Sequence, residues 1–218
     1  MPRKLFATED WWAVWLGFLL VALAMPVTAG FDALGWVVKA NVWLAPGTSV
    51  APFSPTSQVS GIVSLALTFL LLLGLVSLGA YAQGFNLARF IPAFSVIFGL
   101  SFLCWLMGHY AYIAQTPDKR AAMGISWSLG LTGEAGYILA LFGGLLIGNF
   151  LPAQARWLQD AARPEWYIKT AIVILGAALG VKAAAATGLM SAIMFRGLAA
   201  IIEAYLIYWA LVYFIARK

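Results

Sequence analysis

The stretch GIVSLALTFLLLLGLVSLGAYA, residues 61–82, decides the fold class of this chain. It carries no charged side chain, and as an α-helix it is long enough to cross the hydrocarbon core of a bilayer, which is about 30 Å thick. A second full-length apolar run, residues 92–113, follows after the short turn QGFNLAR. The two runs therefore predict an antiparallel pair of membrane-spanning helices.

The composition of the whole chain agrees with this interpretation. Of 218 residues, 63% are hydrophobic and only 10% are charged, whereas soluble domains carry about 25% charged residues. The mean hydropathy is +0.92. Because four or five apolar runs of near-membrane length cannot all be buried in one soluble core, the sequence predicts an all-α polytopic membrane protein.

Six segments are predicted, and two of them are short. The fourth, YILALFGGLLIGNFL, would reach only about 22 Å unless its helix extends back through Gly130, Gly133 and Gly136. The fifth, TAIVILGAALGV, is shorter still and stops at Lys182. A polar, Pro-rich stretch, residues 32–58, is predicted to be an external loop because its backbone could not be satisfied in lipid. The six segments are residues 11–28, 61–82, 92–113, 137–151, 170–181 and 189–215.

The basic residues indicate the orientation of the chain. The net charge is +5, but the 13 Lys and Arg residues are scattered between apolar runs and form no basic stripe, which argues against a nucleic-acid partner. With the N-terminus inside, eight of these residues lie on the cytoplasmic side and four on the other. The positive-inside rule then places both termini in the cytoplasm. The eight are Arg3, Lys4, Arg89, Arg156, Arg163, Lys169, Arg217 and Lys218, and the four are Lys39, Lys119, Arg120 and Lys182.

Enzyme chemistry finds little support in the sequence. His109 is the one histidine and Cys104 the one cysteine, so the chain alone can form neither a histidine-rich metal site nor a disulfide. No serine-nucleophile elbow, HExxH motif or phosphate-binding loop appears. We therefore expect no enzymatic activity, no metal and no cofactor.

The sixth segment carries the most informative polar residues, Arg196 and Glu203. Seven residues of helix separate them, which returns them to nearly the same face about 10 Å apart. Burying either charge alone costs several kcal/mol, so we expect this face to point toward a wet interior. The alternative is that Arg196 lies near the external interface and only Glu203 is deep.

Glycine pairs mark the two short segments. Gly144 and Gly148 share one helix face, as do Gly176 and Gly180, and such pairs let another backbone approach closely. The pairs are explained either by simple helix packing or by the broken helices of a transporter, whose ends present backbone groups to a substrate. In the second case Asn149 and Lys182 are candidate polar contacts; otherwise both are interfacial residues.

The short segments also carry a family resemblance. The stretches GEAGYILALFGGLLIGNFLP and WYIKTAIVILGAALGVKAAAATG resemble the YeiH-like family of bacterial membrane proteins, which are described as sulfate exporters, and TEDWWAVWLG resembles the N-terminus of its longer members. The resemblance implies a transporter with inverted repeats and discontinuous helices in the bacterial inner membrane. The chain resembles the front half of such a protein, because the family's second half, with its Cys-Gly-Ala-Ser-rich motif, is absent.

Two functions follow as hypotheses. In the first, residues 1–218 form one transmembrane domain, the front half of a secondary transporter for a small anion such as sulfate. Arg196 would attract the anion and Glu203 would couple protons or balance the arginine, and a second chain or a C-terminal half would complete the site. In the alternative, the chain is a non-transporting membrane subunit that packs in a larger complex. Both hypotheses make the lipid bilayer a partner.

Overall fold

The computed structural model describes residues 8–185 and 190–217. The chain divides into two units, residues 1–170 and 171–218, and each unit is described by itself. The first unit contains α1 (Glu9–Ala24), β1 (Val38–Ala40), β2 (Val50–Pro52), α2 (Gly61–Ala82), α3 (Leu87–Gly108), α4 (Ala111–Ala114), α5 (Ala135–Phe150), α6 (Pro152–Leu158) and the first turns of α7 (Pro164–Ala185). The second unit contains the rest of α7 and α8 (Met190–Ala216).

Six helical stretches in the described residues are long and apolar enough to cross a membrane, and the protein is 73% helical. The predicted all-α fold with six membrane spans is thereby confirmed. The spans are Glu9–Val27, Gly61–Ala82, Leu87–Gly108, Thr132–Phe150, Pro164–Val181 and Phe195–Ala216.

A tight turn joins α2 to α3, as the sequence predicts. Gly84 adopts a left-handed conformation with φ of +79°, which glycine reaches without steric cost. The Asn86 side chain then accepts the backbone N–H of Ala88 at 3.0 Å and caps the start of α3. Because of this cap, α3 begins at Leu87 rather than at Pro92, which lies inside the helix.

The fourth and fifth spans differ in length. Helix α5 has 16 residues, about 24 Å at the usual rise, and it ends at Phe150, so that only Leu151 separates it from Pro152, which starts α6. Helix α7 has 22 residues and is longer than the predicted apolar run because its polar first turns are also helical. Lys169 Nζ contacts Glu165 Oε2 at 2.9 Å one turn away, and such a pair supports a helix.

Residues 32–58 form a small β-hairpin that packs on α2. β1 and β2 are antiparallel, with Lys39 opposite Ala51. The Val38 N–H donates to Thr68 Oγ1 at 2.9 Å, and the Thr68 hydroxyl donates to the Ser64 carbonyl at 2.7 Å. Thr68 lies about 10 Å along α2 from Gly61, so the hairpin covers the first two turns of this helix. Its position relative to the bilayer stays a prediction.

Trp43 fixes the hairpin segment to the end of α3. Its indole Nε1–H donates to the Leu106 carbonyl at 2.9 Å. Its backbone N–H donates to the His109 carbonyl at 3.2 Å, and its carbonyl accepts the Ala111 N–H at 2.9 Å. Residues 32–58 and 109–131, which we call the loop layer, are therefore joined by backbone hydrogen bonds, and the Trp43 side chain adds a bond to the last turns of α3.

An aromatic core lies where α2 ends and α3 begins. Trp166 of α7 is only 1% exposed and packs with its ring centroid 6.4 Å from that of Phe90. Gly79 makes room for this indole, since a Cβ there would clash with the Trp166 ring. The core buries residues from four helices and the loop before α7: Ala13, Leu16, Val76, Ala80, Phe90, Ala93, Phe94, Ala161 and Trp166.

Candidate functional site

Arg196 and Glu203 lie on α8, which continues as an α-helix from Met190 to Ala216. Both side chains are exposed, and neither makes a hydrogen bond or an ion pair in the part of the chain that the structure describes. The regular helix places them on nearly the same face about 10 Å apart, which agrees with the predicted spacing. Their role in a site stays a prediction.

Between these two residues, this face of α8 is small. Ala199 and Ala200 lie between the two charged residues, whereas Leu198 and Ile201 lie on the opposite face. Leu198 and Ile201 are 59% and 66% exposed. Helix α8 therefore has an apolar side and a narrow stripe on which two opposite charges flank two alanines.

Asn149 and Lys182 are the other two predicted site residues. The Asn149 side chain is exposed, and its Nδ2 donates to the Leu145 carbonyl of its own helix at 2.8 Å. Lys182 belongs to α7, and its side chain lies outside the described part of the structure. The grouping of these two residues with Arg196 and Glu203 stays a prediction.

The predicted glycine faces are open in this structure. A Cβ added at Gly144, Gly148, Gly176 or Gly180 would meet no atom within 4 Å. In the first unit, Gly143, Gly144 and Gly148 line a groove of about 320 Å³ between α3, α5 and α6. The described residues that line this groove include no charged side chain, and their small polar groups are Ser101 and Cys104.

A close approach of two helix backbones involves other glycines, which the sequence did not indicate as a contact. A Cβ at Gly108, the last residue of α3, would clash with the backbone nitrogen of Gly136 in α5. The ring of His109, which follows Gly108 in the chain, packs against Gly133, three residues before Gly136. The Nδ1 atom of this ring is 2.8 Å from the Trp105 carbonyl oxygen. Two features of the sequence could have indicated this contact. Gly108 lies near the end of one apolar run, and Gly133 and Gly136, spaced as GxxG, lie just before the next run.

A larger cleft of about 910 Å³ lies between α2, α3, α5 and the start of α7. Aromatic side chains dominate its walls, with Thr68 and Ser101 among the few polar groups. None of the described residues that line it is charged. Its aromatic members are Phe98, Phe102, Trp105, Tyr137 and Tyr167.

The ion pairs among the described residues all lie where α1 and α7 begin. Arg163 Nη1 contacts Glu9 Oε1 at 3.1 Å, and Lys169 Nζ contacts Asp10 Oδ1 at 2.6 Å. The Arg163 guanidinium also lies 4.6 Å from the centroid of the Phe85 ring, a favourable cation–π distance. Each of these cations already has a carboxylate partner on α1, so this cluster links α1 to the chain segment where α7 begins.

The loop layer contains the carboxyl group of Asp118. A hydrogen bond from the Thr116 hydroxyl lowers the pKa of the exposed Asp118 carboxyl below its usual value. Within the described ranges, no three His, Cys, Asp or Glu side chains are close enough to share a metal ion.

The comparison with known proteins gives one informative relative. The chain is 35% identical over 214 residues to a UPF0324 membrane protein of Nitrosomonas europaea. The match covers 97% of this chain and 44% of the relative, so the chain spans less than half the length of that protein. UPF0324 and the YeiH-like family are the same family. No family model matches the chain, and no solved structure does.

Proposed function

We propose that this membrane protein belongs to the UPF0324 family and forms part of a secondary transporter for a small anion. Membership is supported by the 35% identity over 97% of the chain. The relative's name states only that it is a membrane protein, so transport is our inference from the residues. Sulfate is the anion that the family resemblance suggests.

The observation that carries the proposal is the pair Arg196 and Glu203 on a membrane span. The span Phe195–Ala216 has a mean hydropathy of 2.0, and ionisable residues at such positions are costly and usually serve a function. A guanidinium can bind an oxyanion through two parallel hydrogen bonds. A carboxylate on the same face can take up a proton as the anion binds, and this uptake would couple the two movements.

The proposal includes a location and an orientation. A family of bacterial membrane proteins implies the inner membrane, and the excess of basic residues at one set of segment ends favours cytoplasmic termini. With this topology the loop layer faces the outside, and the ion pairs of α1 and α7 lie near the cytoplasm.

The test is anion flux into liposomes that contain the purified chain. Arg196→Ala should reduce uptake of labelled sulfate and shift its pH dependence, because Glu203 loses its nearest same-face positive charge and favours the protonated state. Arg196→Lys should recover part of the flux, since the charge remains but the bidentate geometry is lost. Glu203→Gln should abolish any proton-coupled step while keeping the fold.

Arg217→Ala is the matched control for this experiment. Arg217 directly follows the last residue of α8, and its guanidinium donates to the Tyr213 hydroxyl at 3.1 Å. It lies 14 residues, or about 21 Å along the helix, from Glu203, so its removal should leave flux unchanged. If Arg196→Ala and Glu203→Ala both transport at the wild-type rate, the site assignment is wrong.

The open groove at Gly143, Gly144 and Gly148 favours the second function, a membrane subunit without transport activity. Small-residue grooves accept other helices closely. This function predicts that no anion is exchanged by the purified chain and that Gly144→Leu releases a co-purifying membrane protein. A Gly144→Leu variant that keeps the same co-purifying proteins would contradict it.

A further inference from the structure

The charged stripe of α8 has a symmetry that bears on its partner. The midpoint between Ala199 and Ala200 lies equally far from Arg196 and Glu203. A second helix with the same stripe that runs antiparallel and crosses at this midpoint places its glutamate opposite Arg196 and its arginine opposite Glu203. A parallel copy places arginine opposite arginine and glutamate opposite glutamate.

The energetic difference between these arrangements is large in a membrane. Opposite charges in hydrocarbon stabilise each other, whereas like charges, or single charges that face lipid, are costly. The two alanines allow close approach of the helix axes at the crossing point. Neither charged side chain has a hydrogen-bond or ion-pair partner among the described residues.

We propose that the Arg196–Glu203 stripe is the docking surface for a membrane helix that runs antiparallel to α8. This partner helix carries a carboxylate opposite Arg196 and a basic side chain opposite Glu203, with small residues between them. Charge complementarity defines it, and an inverted copy of the α8 sequence satisfies every requirement. The relative of which the chain spans 44% has further sequence in which such a helix can lie.

The proposed pairing concerns assembly and does not depend on anion transport. It is compatible with transport, because protonation of the carboxylate opposite Arg196 frees the guanidinium for an anion. The two can fail separately, since docking is measured by binding and transport by flux.

The probe is a synthetic peptide of residues 190–217, added to the purified full chain in detergent micelles, where a peptide can approach in either direction. The chain carries Cys104→Ser and Ala216→Cys, with an acceptor dye on the new thiol. Donor dyes are placed on either the N-terminus or the C-terminus of the peptide. Antiparallel docking predicts saturable energy transfer that is stronger from the N-terminal donor.

Charge exchange tests whether the stripe determines this binding. Arg196→Glu in the chain puts two glutamates opposite each other in an antiparallel pair, and we expect binding of the wild-type peptide to weaken about tenfold or more, in line with coupling energies of close charge pairs. A peptide with Glu203→Arg should restore binding to that chain. Leu198→Ala and Ile201→Ala, on the opposite face, should bind as wild type does.

Several results would overturn the proposal. A parallel pair predicts that Arg196→Glu strengthens binding of the wild-type peptide, because glutamate then lies opposite arginine. Lipid as the occupant predicts no saturable energy transfer at all. Should Arg196→Glu fail to fold, the chain with both Arg196→Glu and Glu203→Arg replaces it. This chain must prefer a peptide with the same two exchanges over the wild-type peptide, and equal binding of both would contradict the inference.

Discussion

At the scale of single residues, Gly108 and Gly136 determine how closely α3 and α5 pack. A Cβ at Gly108 would meet the Gly136 backbone, which cannot rotate away as a side chain can. The adjacent contact of the His109 ring with Gly133 extends the same interface. The end of α3 can therefore lie directly against the start of α5, because neither Gly108 nor Gly136 has a side chain that would separate the two backbones.

Gly108→Ala should destabilise the protein because the added methyl group must push two helix backbones apart. Overpacking of this kind costs about 1–3 kcal/mol, and the loss is measured as a lower midpoint of thermal unfolding in detergent. Gly99→Ala on the same helix is the control, since a Cβ there meets nothing within 4 Å. An equal effect of both substitutions would show that the close approach has no energetic weight.

At the scale of secondary-structure elements, the hairpin depends on one side chain of α2. Thr68 is buried and accepts the Val38 N–H, which otherwise has no partner at this end of β1. The Thr68 hydroxyl is in turn satisfied by Ser64. The hairpin and the helix thus share one chain of hydrogen bonds.

Replacing Thr68 separates the hydrogen bond from the packing. Thr68→Val keeps the shape but leaves a buried N–H unpaired, which costs about 1–3 kcal/mol in free energy of unfolding. Thr68→Ser retains the acceptor and should lose less. Denaturant unfolding of the three proteins measures the difference, and a Val variant as stable as wild type would show that water replaces the hydroxyl.

The elements also show what the sequence could predict. The six spans follow from apolar length, which is a local property of each segment, and they are confirmed. The hairpin was missed because strands of three residues depend on the distant Thr68 for their position. The first turns of α7 were missed because Lys169 looks like a flanking charge, whereas its partners are Glu165 and Asp10.

The candidate site was predictable to a similar degree. The common face of Arg196 and Glu203 follows from helix periodicity alone. Gly144 and Gly148 share a face as expected, yet they line an open groove rather than a helix contact. Which residues meet across a site depends on contacts between segments, and hydropathy contains no information about those.

At the scale of the whole molecule, the helix order places the loop layer and the α6 region at opposite ends of the spans. The loop layer follows α1 and α3, whereas α6 follows α5. One span precedes residues 32–58 and three spans precede residues 109–131, whereas four spans precede α6. The layer is therefore external if the N-terminus is cytoplasmic.

Cysteine labelling in intact cells tests this topology. In a Cys104→Ser background, thiols introduced at Gln58 and Ala122 should react with a membrane-impermeant maleimide added outside. A thiol at Gln159 should react only after the membrane is permeabilised. All three positions are exposed, so access to the reagent depends on the side of the membrane. The reverse pattern would place both termini outside.

The hydrogen bonds of Trp43 have a mechanical consequence. One residue links the hairpin on α2 to the last turn of α3 and to Ala111, while glycine contacts join α3 to α5. The ends of α2, α3 and α5 near the loop layer are therefore linked to one another. Separating these helix ends would break the hydrogen bonds of Trp43 to Leu106, His109 and Ala111.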